Sequence, residues 1–119
     1  MRIFILEDYD KRIDHFKTIF ADCTIDHTDD VEEGFNLLNS KKYDLIFLDR
    51  DLSKLNENGE DLAWAMQQNK TASSTPIIIH TDNARGQRVI KRYLSKYHNN
   101  VRQIPFRNLK SMSRQEILK

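Results

Sequence analysis

Asp44-Leu45-Ile46-Phe47-Leu48, followed at once by Asp49-Arg50-Asp51, is apolar at every position from 45 to 48 and then abruptly acidic. A strand with one wet face alternates apolar and polar residues. A strand covered on both faces reads as one apolar run. Working outward, Arg2-Ile3-Phe4-Ile5-Leu6 and Ile77-Ile78-Ile79 read the same way, with a weaker strand at Cys23-Thr24-Ile25-Asp26-His27 and a fifth at Val101 to Ile104. Between them lie helix-period segments. Ile13, Phe16, Ile19 and Phe20 mark a first helix from about Asp10 to Ala21. Thr28 or Asp29 can cap a second, with Glu32 and Glu33 in its first turn and Val31, Phe35 and Leu38 inward. A polar stretch from Arg50 to Asn58 ends in the turn pair Asn58-Gly59. Leu62, Ala65 and Met66 suggest a third helix, broken by Ser73-Ser74-Thr75-Pro76. Val89, Ile90, Tyr93, Leu94 and Tyr97 line a fourth, and the tail from Ser111 to Lys119 holds only a short helix. Strict alternation of strand and helix implies an α/β fold: a parallel sheet with helices on both faces.

At 119 residues the chain is expected to form a single domain over 1–119. The lone Cys23 cannot form an internal disulfide and fits a reducing compartment. The apolar run at the N-terminus is too short for a signal peptide, and no later run spans a bilayer, so a cytoplasmic location without membrane association is expected. Charged residues make up 31% of the chain while the formal net charge is only +1, which gives no global case for nucleic-acid binding. The distribution is uneven. Acids concentrate between Glu7 and Asp61, and the chain from Arg85 onward is basic, as an acidic metal pocket beside a basic rim would be.

In a parallel sheet of this kind ligands sit beyond the carboxyl ends of the strands. The first strand ends in Glu7-Asp8, the third in Asp49-Arg50-Asp51, the fourth in His80-Thr81-Asp82-Asn83. If the first and third strands are neighbours, Glu7, Asp8 and Asp49 converge. Carboxylates held that close repel and retain protons unless a cation neutralises them. Oxygen ligands suit a hard divalent ion. The plain alternative is that acids after strands are helix caps or loop solvation, and that His80 is a satisfied structural histidine. Trp64, Tyr93 and Tyr97 read as packing residues. The chain has no glycine-rich phosphate loop, no paired-cysteine zinc pattern and no serine nucleophile elbow.

Over nearly its whole length the chain resembles the response-regulator receiver domain. Ile5-Leu6-Glu7-Asp8 is similar to that family's acidic pair, and Tyr43 to Asp49 to the strand ending in its phosphoacceptor aspartate. Asn58-Gly59-Glu60-Asp61-Leu62 resembles the opening of its third helix, and Thr75-Pro76-Ile77-Ile78-Ile79-His80-Thr81 its fourth strand. Ile104-Pro105-Phe106 stands where the family has Lys-Pro-Phe, so the lysine that contacts the phosphoryl group is replaced by Ile104. Leu52-Ser53 stands in place of the usual Met-Pro. The resemblance implies a flavodoxin-like three-layer sandwich with strand order 2-1-3-4-5 and a cis Ile104–Pro105 bond.

A closer resemblance is to the cyclic-phosphate-processing receiver branch. It rests on Leu48-Asp49-Arg50-Asp51-Leu52, on His80-Thr81-Asp82-Asn83-Ala84-Arg85-Gly86 and on Ile104-Pro105-Phe106. Members often have His where Arg50 stands. The resemblance implies a metal-dependent phosphoesterase acting on a cyclic phosphate of RNA ends or nucleotides. Glu7, Asp8, Asp49 and Asp51 are then the expected ligands of Mg²⁺ or Mn²⁺. Asp49, His80 and Asn83 are the expected catalytic residues, with His80 facing Asp49 across a cleft and protonating the leaving oxygen. Thr81, Arg85 and Arg50 are expected at the phosphate oxygens. The second reading is an atypical, lysine-lacking receiver that regulates a protein partner through its fourth helix and fifth strand.

Overall fold

In the computed structural model, which describes residues 1–53 and 57–119, the apolar run at 45–48 is the centre of the sheet. Strand β3 (Leu45–Leu48) is buried at all four positions, with β1 (Arg2–Leu6) on one side and β4 (Ile77–Ile79) on the other. β2 (Thr24–Thr28) and β5 (Val101–Gln103) complete a parallel sheet in the order β2-β1-β3-β4-β5. The edge strands carry the polar residues, and the central three are the continuous apolar runs that double-sided cover requires.

Side-chain alternation divides the core in two. Phe4, Leu6, Ile46, Leu48, Ile77 and Ile79 face α2 (Val31–Ser40), α3 (Gly59–Asn69) and α4 (Ala84–Ser95). Ile3, Ile5, Leu45, Phe47 and Ile78 face the other way, under Phe16 and Phe20 of α1 (Asp10–Ile19). Leu109 of α5 (Phe106–Leu109) and Ile117 of α6 (Arg114–Leu118) close that side. This is the expected three-layer sandwich. Each fully buried Phe or Leu contributes about 1.5–3 kcal/mol, so the two layers are held chiefly by these residues.

Several local expectations are revised. The second helix is capped by Asp30, whose carboxylate accepts from the Glu33 N–H, and not by Thr28 or Asp29; Thr28 instead accepts from the Asp30 N–H. In α3 it is Ala63, not Ala65, that joins Leu62 and Met66 in the core, and Trp64 is 52% exposed. Tyr93 and Tyr97 do pack against the core. The Ile104–Pro105 bond is trans. Ile104 N–H and Phe106 N–H donate to the carbonyls of Ile79 and His80, so an extended chain runs through Pro105, which falls where no donor is needed, straight into α5. Of the polar stretch after Asp49, residues 54–56 lie outside the described residues. No described helix is long and apolar enough to cross a membrane.

Candidate functional site

The register of the sheet assembles the site. Leu6 pairs with Leu48 and Leu48 with Ile79, so the next residues, Glu7, Asp49 and His80, form one rank across three adjacent strands. The ladder continues through them: Asp49 N–H donates to Leu6 and His80 N–H to Leu48. Strand alternation puts all three side chains on the face of Ile5, Phe47 and Ile78, under α1. One ligand atom from each lies within 4.8 Å of the others.

All three are buried, at 1% exposure for Glu7, 3% for Asp49 and 0% for His80. Glu7 Oε2 accepts the backbone N–H groups of Asp8 and Tyr9, and Asp49 Oδ1 accepts that of Arg50. Burial pushes Glu7 above the usual carboxylate range, against those two N–H groups and Arg12. Burial likewise pushes Asp49 up to about 6, with the neighbouring Glu7 adding to the rise. His80 is pushed down to about 4 by burial and is uncharged at neutral pH. The ring packs edge-on against Phe16 and Phe47, and Nε2 lies 2.9 Å from Glu7 Oε1. Its Nδ1 has no partner among the described residues. His80 therefore does not face Asp49 across an open cleft; it stands behind Glu7, because the pleat turns its ring toward the aromatic residues beneath α1.

The cation of the site is Arg12, which the sequence reading passed over. Its guanidinium lies 3.7 Å from both Glu7 and Asp49 and 2.9 Å from Asp82, and it stacks over Phe106 at 4.8 Å. Ile104 packs into the core beneath α1, and Arg12 supplies positive charge from that helix. A signal was present. Lys11 and Arg12 occupy the first turn of a helix, where the macrodipole favours anions, so cations there ask for a carboxylate partner.

A cleft of about 210 Å³ opens above the rank, lined by Glu7, Asp8, Tyr9, Arg12, Asp49, Asp51 and Asp82. The four expected metal ligands thus share one cleft. The expected phosphate residues are less gathered. Thr81 is fully buried, its hydroxyl accepting from Asn83 N–H. Asn83 caps α4, accepting from Gly86 N–H. Arg50 is held by Asp51 and Glu60 at 2.8 and 2.9 Å, with its stem against Gly86, where an added Cβ would lie 2.7 Å from Cγ. Arg85 stands exposed in the first turn of α4. Gly59 permits the closest approach: its N–H donates to Arg50, and a Cβ there would fall 1.8 Å from the Asp49 carbonyl oxygen.

The donor set fits a divalent cation. Two buried carboxylates and an imidazole converge, and the one guanidinium among them is shared with a third carboxylate, Asp82, which leaves negative charge uncompensated.

A parallel sheet in this order with an acidic cleft at its carboxyl edge defines a response-regulator receiver-like domain. Similar solved structures include the receiver domain of a Pseudomonas aeruginosa PAO1 sensor histidine kinase with magnesium coordinated in its active-site cleft. The TM-score is 0.70 at 18% identity, over 98% of this chain and 90% of that one. The Vibrio cholerae chemotaxis protein CheY4 gives a TM-score of 0.69 at 12% identity, over 98% and 92%. The Thermotoga maritima response regulator TrrA, in complex with Mg²⁺ and BeF, gives 0.67 at 19%, over 87% and 84%. At these identities the likeness is one of fold. Within that class, the chain belongs to the cyclic-phosphate processing receiver domain family, which matches residues 2–96. No curated protein matches it significantly.

Proposed function

We propose that this domain is a metal-dependent phosphoesterase that opens a cyclic phosphate on a nucleotide or an RNA end. The observation that carries the reading is the rank of Glu7, Asp49 and His80 with Arg12 beside it: two buried carboxylates, an imidazole and a guanidinium at a cleft of phosphate size. Glu7 and Asp49 would hold Mg²⁺ or Mn²⁺, with Asp8 and Asp51 at the rim. When bound, such an ion offsets phosphate charge and lowers the pKa of water. Arg12 draws the phosphate in and pairs with its oxygens, partly replacing the missing lysine. His80 Nε2 holds Glu7 Oε1 in place, and the 2.9 Å contact between them is where a proton for the leaving ribose oxygen is held behind the cleft. Thr81 and Asn83 fix the turn that carries Asp82 to Arg12. Membership of the cyclic-phosphate family supports the substrate class.

The test is ring opening of 2′,3′-cyclic nucleotides, followed by phosphorus NMR, with Mg²⁺, with Mn²⁺ and with chelator. Turnover is expected only with metal. Asp49→Asn should abolish it, and His80→Ala should lower it by about 10²-fold. A protein that binds metal yet opens neither a cyclic nucleotide nor the cyclic phosphate end of an RNA oligonucleotide refutes the reading.

A further inference from the structure

A second cleft, of about 360 Å³, lies between α1 and α5 and is lined by Tyr9, Lys11, His15, Phe106, Arg107 and Lys110. Its volume is in the about 300–1,000 Å³ range of small-molecule sites. It is continuous with the carboxylate cleft: Tyr9, Arg12 and Asp82 line both. Arg12 is the partition, with its guanidinium over the Phe106 ring and its nitrogens toward Glu7, Asp49 and Asp82.

The contents of the second cleft differ in kind from those of the first. Tyr9 is 54% exposed and accounts for one of the largest apolar exposures on the molecule. Phe106 stands partly exposed, edge-on to His15 at 5.5 Å. His15 Nε2 is buried with no hydrogen-bond partner among the described residues. Lys11 and Lys110 are exposed and form no ion pair among the described residues. Arg107 is tied to Asp82 at 3.4 Å but remains largely exposed. Aromatic rings, an unsatisfied ring nitrogen and surplus cations are what a nucleobase and a backbone phosphate need. A cyclic mononucleotide has only one phosphate, and the carboxylate cleft takes it. The spare charge of Lys11 and Lys110 calls for another anion.

We infer that the α1–α5 cleft is a second subsite that seats the terminal nucleoside of an RNA strand, with Tyr9 and Phe106 as stacking surfaces and Lys11 and Lys110 on the next phosphodiester. This rests on the carboxylate cleft being the phosphate site. The subsite joins Tyr9, Lys11 and His15, within the residues matched by the family, to Phe106, Arg107 and Lys110, which lie beyond them.

The experiment compares binding of adenosine 3′-monophosphate and a trinucleotide ending in a 3′-phosphate, by calorimetry, with Mg²⁺ present. Neither probe is turned over. The trinucleotide should bind about tenfold tighter or more at low salt. Its affinity should fall more steeply with KCl, by about 0.7 in log–log slope for each added phosphate contact. Lys11→Glu with Lys110→Glu should erase that advantage. Both residues are exposed, so folding is preserved. Tyr9→Ala should weaken both probes at least about fivefold, while inorganic phosphate binding falls less. Equal affinities of the two probes in the unsubstituted protein, or an advantage that survives charge reversal, would overturn the assignment. The two readings fail separately. A trinucleotide that shows the preference but whose cyclic form is not opened refutes the phosphoesterase and keeps the subsite. Opening of cyclic mononucleotides with no gain from a longer strand does the reverse.

Discussion

Replacing Asp49 by Asn should make the metal-free protein more stable, although it removes the residue at the centre of the site. Asp49 is a carboxylate with a 4% exposed side chain beside a second buried carboxylate, and in the folded protein it titrates at about 6 rather than 3.8. Burial and the neighbouring Glu7 raise it against the attraction of His80, the N–H of Arg50 and Arg12, all of which that value already includes. Below pH 3.8 the group is protonated in both states and costs nothing. As pH rises from 3.8 to 6 the unfolded chain gives up the proton while the folded one keeps it, so stability falls. Above 6 the full penalty, about 3 kcal/mol, is in place. Asn keeps an oxygen for the Arg50 N–H and has no charge to desolvate. With EDTA at pH 7, Asp49→Asn should therefore melt about 10 °C above the unsubstituted protein, and at pH 3.5 the two should coincide. Magnesium should narrow the gap, because only the unsubstituted protein gains from it, by about 2.7 kcal/mol at a hundredfold excess over Kd. Circular-dichroism melts across pH 3.5–8, with and without Mg²⁺, decide the matter. A variant less stable than the parent at pH 7 in EDTA, or a gain that is independent of pH, would refute the account of a buried, under-compensated carboxylate.

Arg12→Gln should act in the opposite sense. Two carboxylates lose a guanidinium 3.7 Å away, so stability at pH 7 should drop by about 1–3 kcal/mol and the Asp49 carboxyl should titrate above its present value. A carbon-13 NMR titration that leaves Asp49 where it was would remove Arg12 from the site. Gly59→Ala should cost at least about 2 kcal/mol and shrink any metal-dependent rise in Tm, because the new methyl would meet the Asp49 carbonyl oxygen at 1.8 Å and its carbon at 2.8 Å, backbone atoms that cannot swing aside. A melting temperature equal to that of the parent would show that α3 does not press on Asp49.

Much of this architecture is legible in one dimension because it depends on local rules. The unbroken apolar run of β3, and of β1 and β4 beside it, can be satisfied only by cover on both faces, and the acids that end β1 and β3 must then lie at the carboxyl edge. The same logic places Glu7, Asp8, Asp49 and Asp51 at one cleft. What the chain alone did not disclose is what each side chain meets once there. Whether His80 opens onto solvent depends on which helix covers its face of the sheet. That face is closed by Phe16 from α1, a contact of 5.2 Å between residues 64 positions apart. Arg12 reads in sequence as one more cation in a charged helix. Only the rotation of α1 about its axis aims it at Glu7, Asp49 and Asp82. The trans bond at Pro105 follows from the parallel ladder that holds Ile104 and Phe106, not from any property of the dipeptide. Period and polarity thus determined the sheet and the line of acids along its edge, since both are properties of neighbours in the chain. Burial, ring orientation and the partner of each charge were decided by tertiary packing, because they depend on residues brought together from distant parts of the chain.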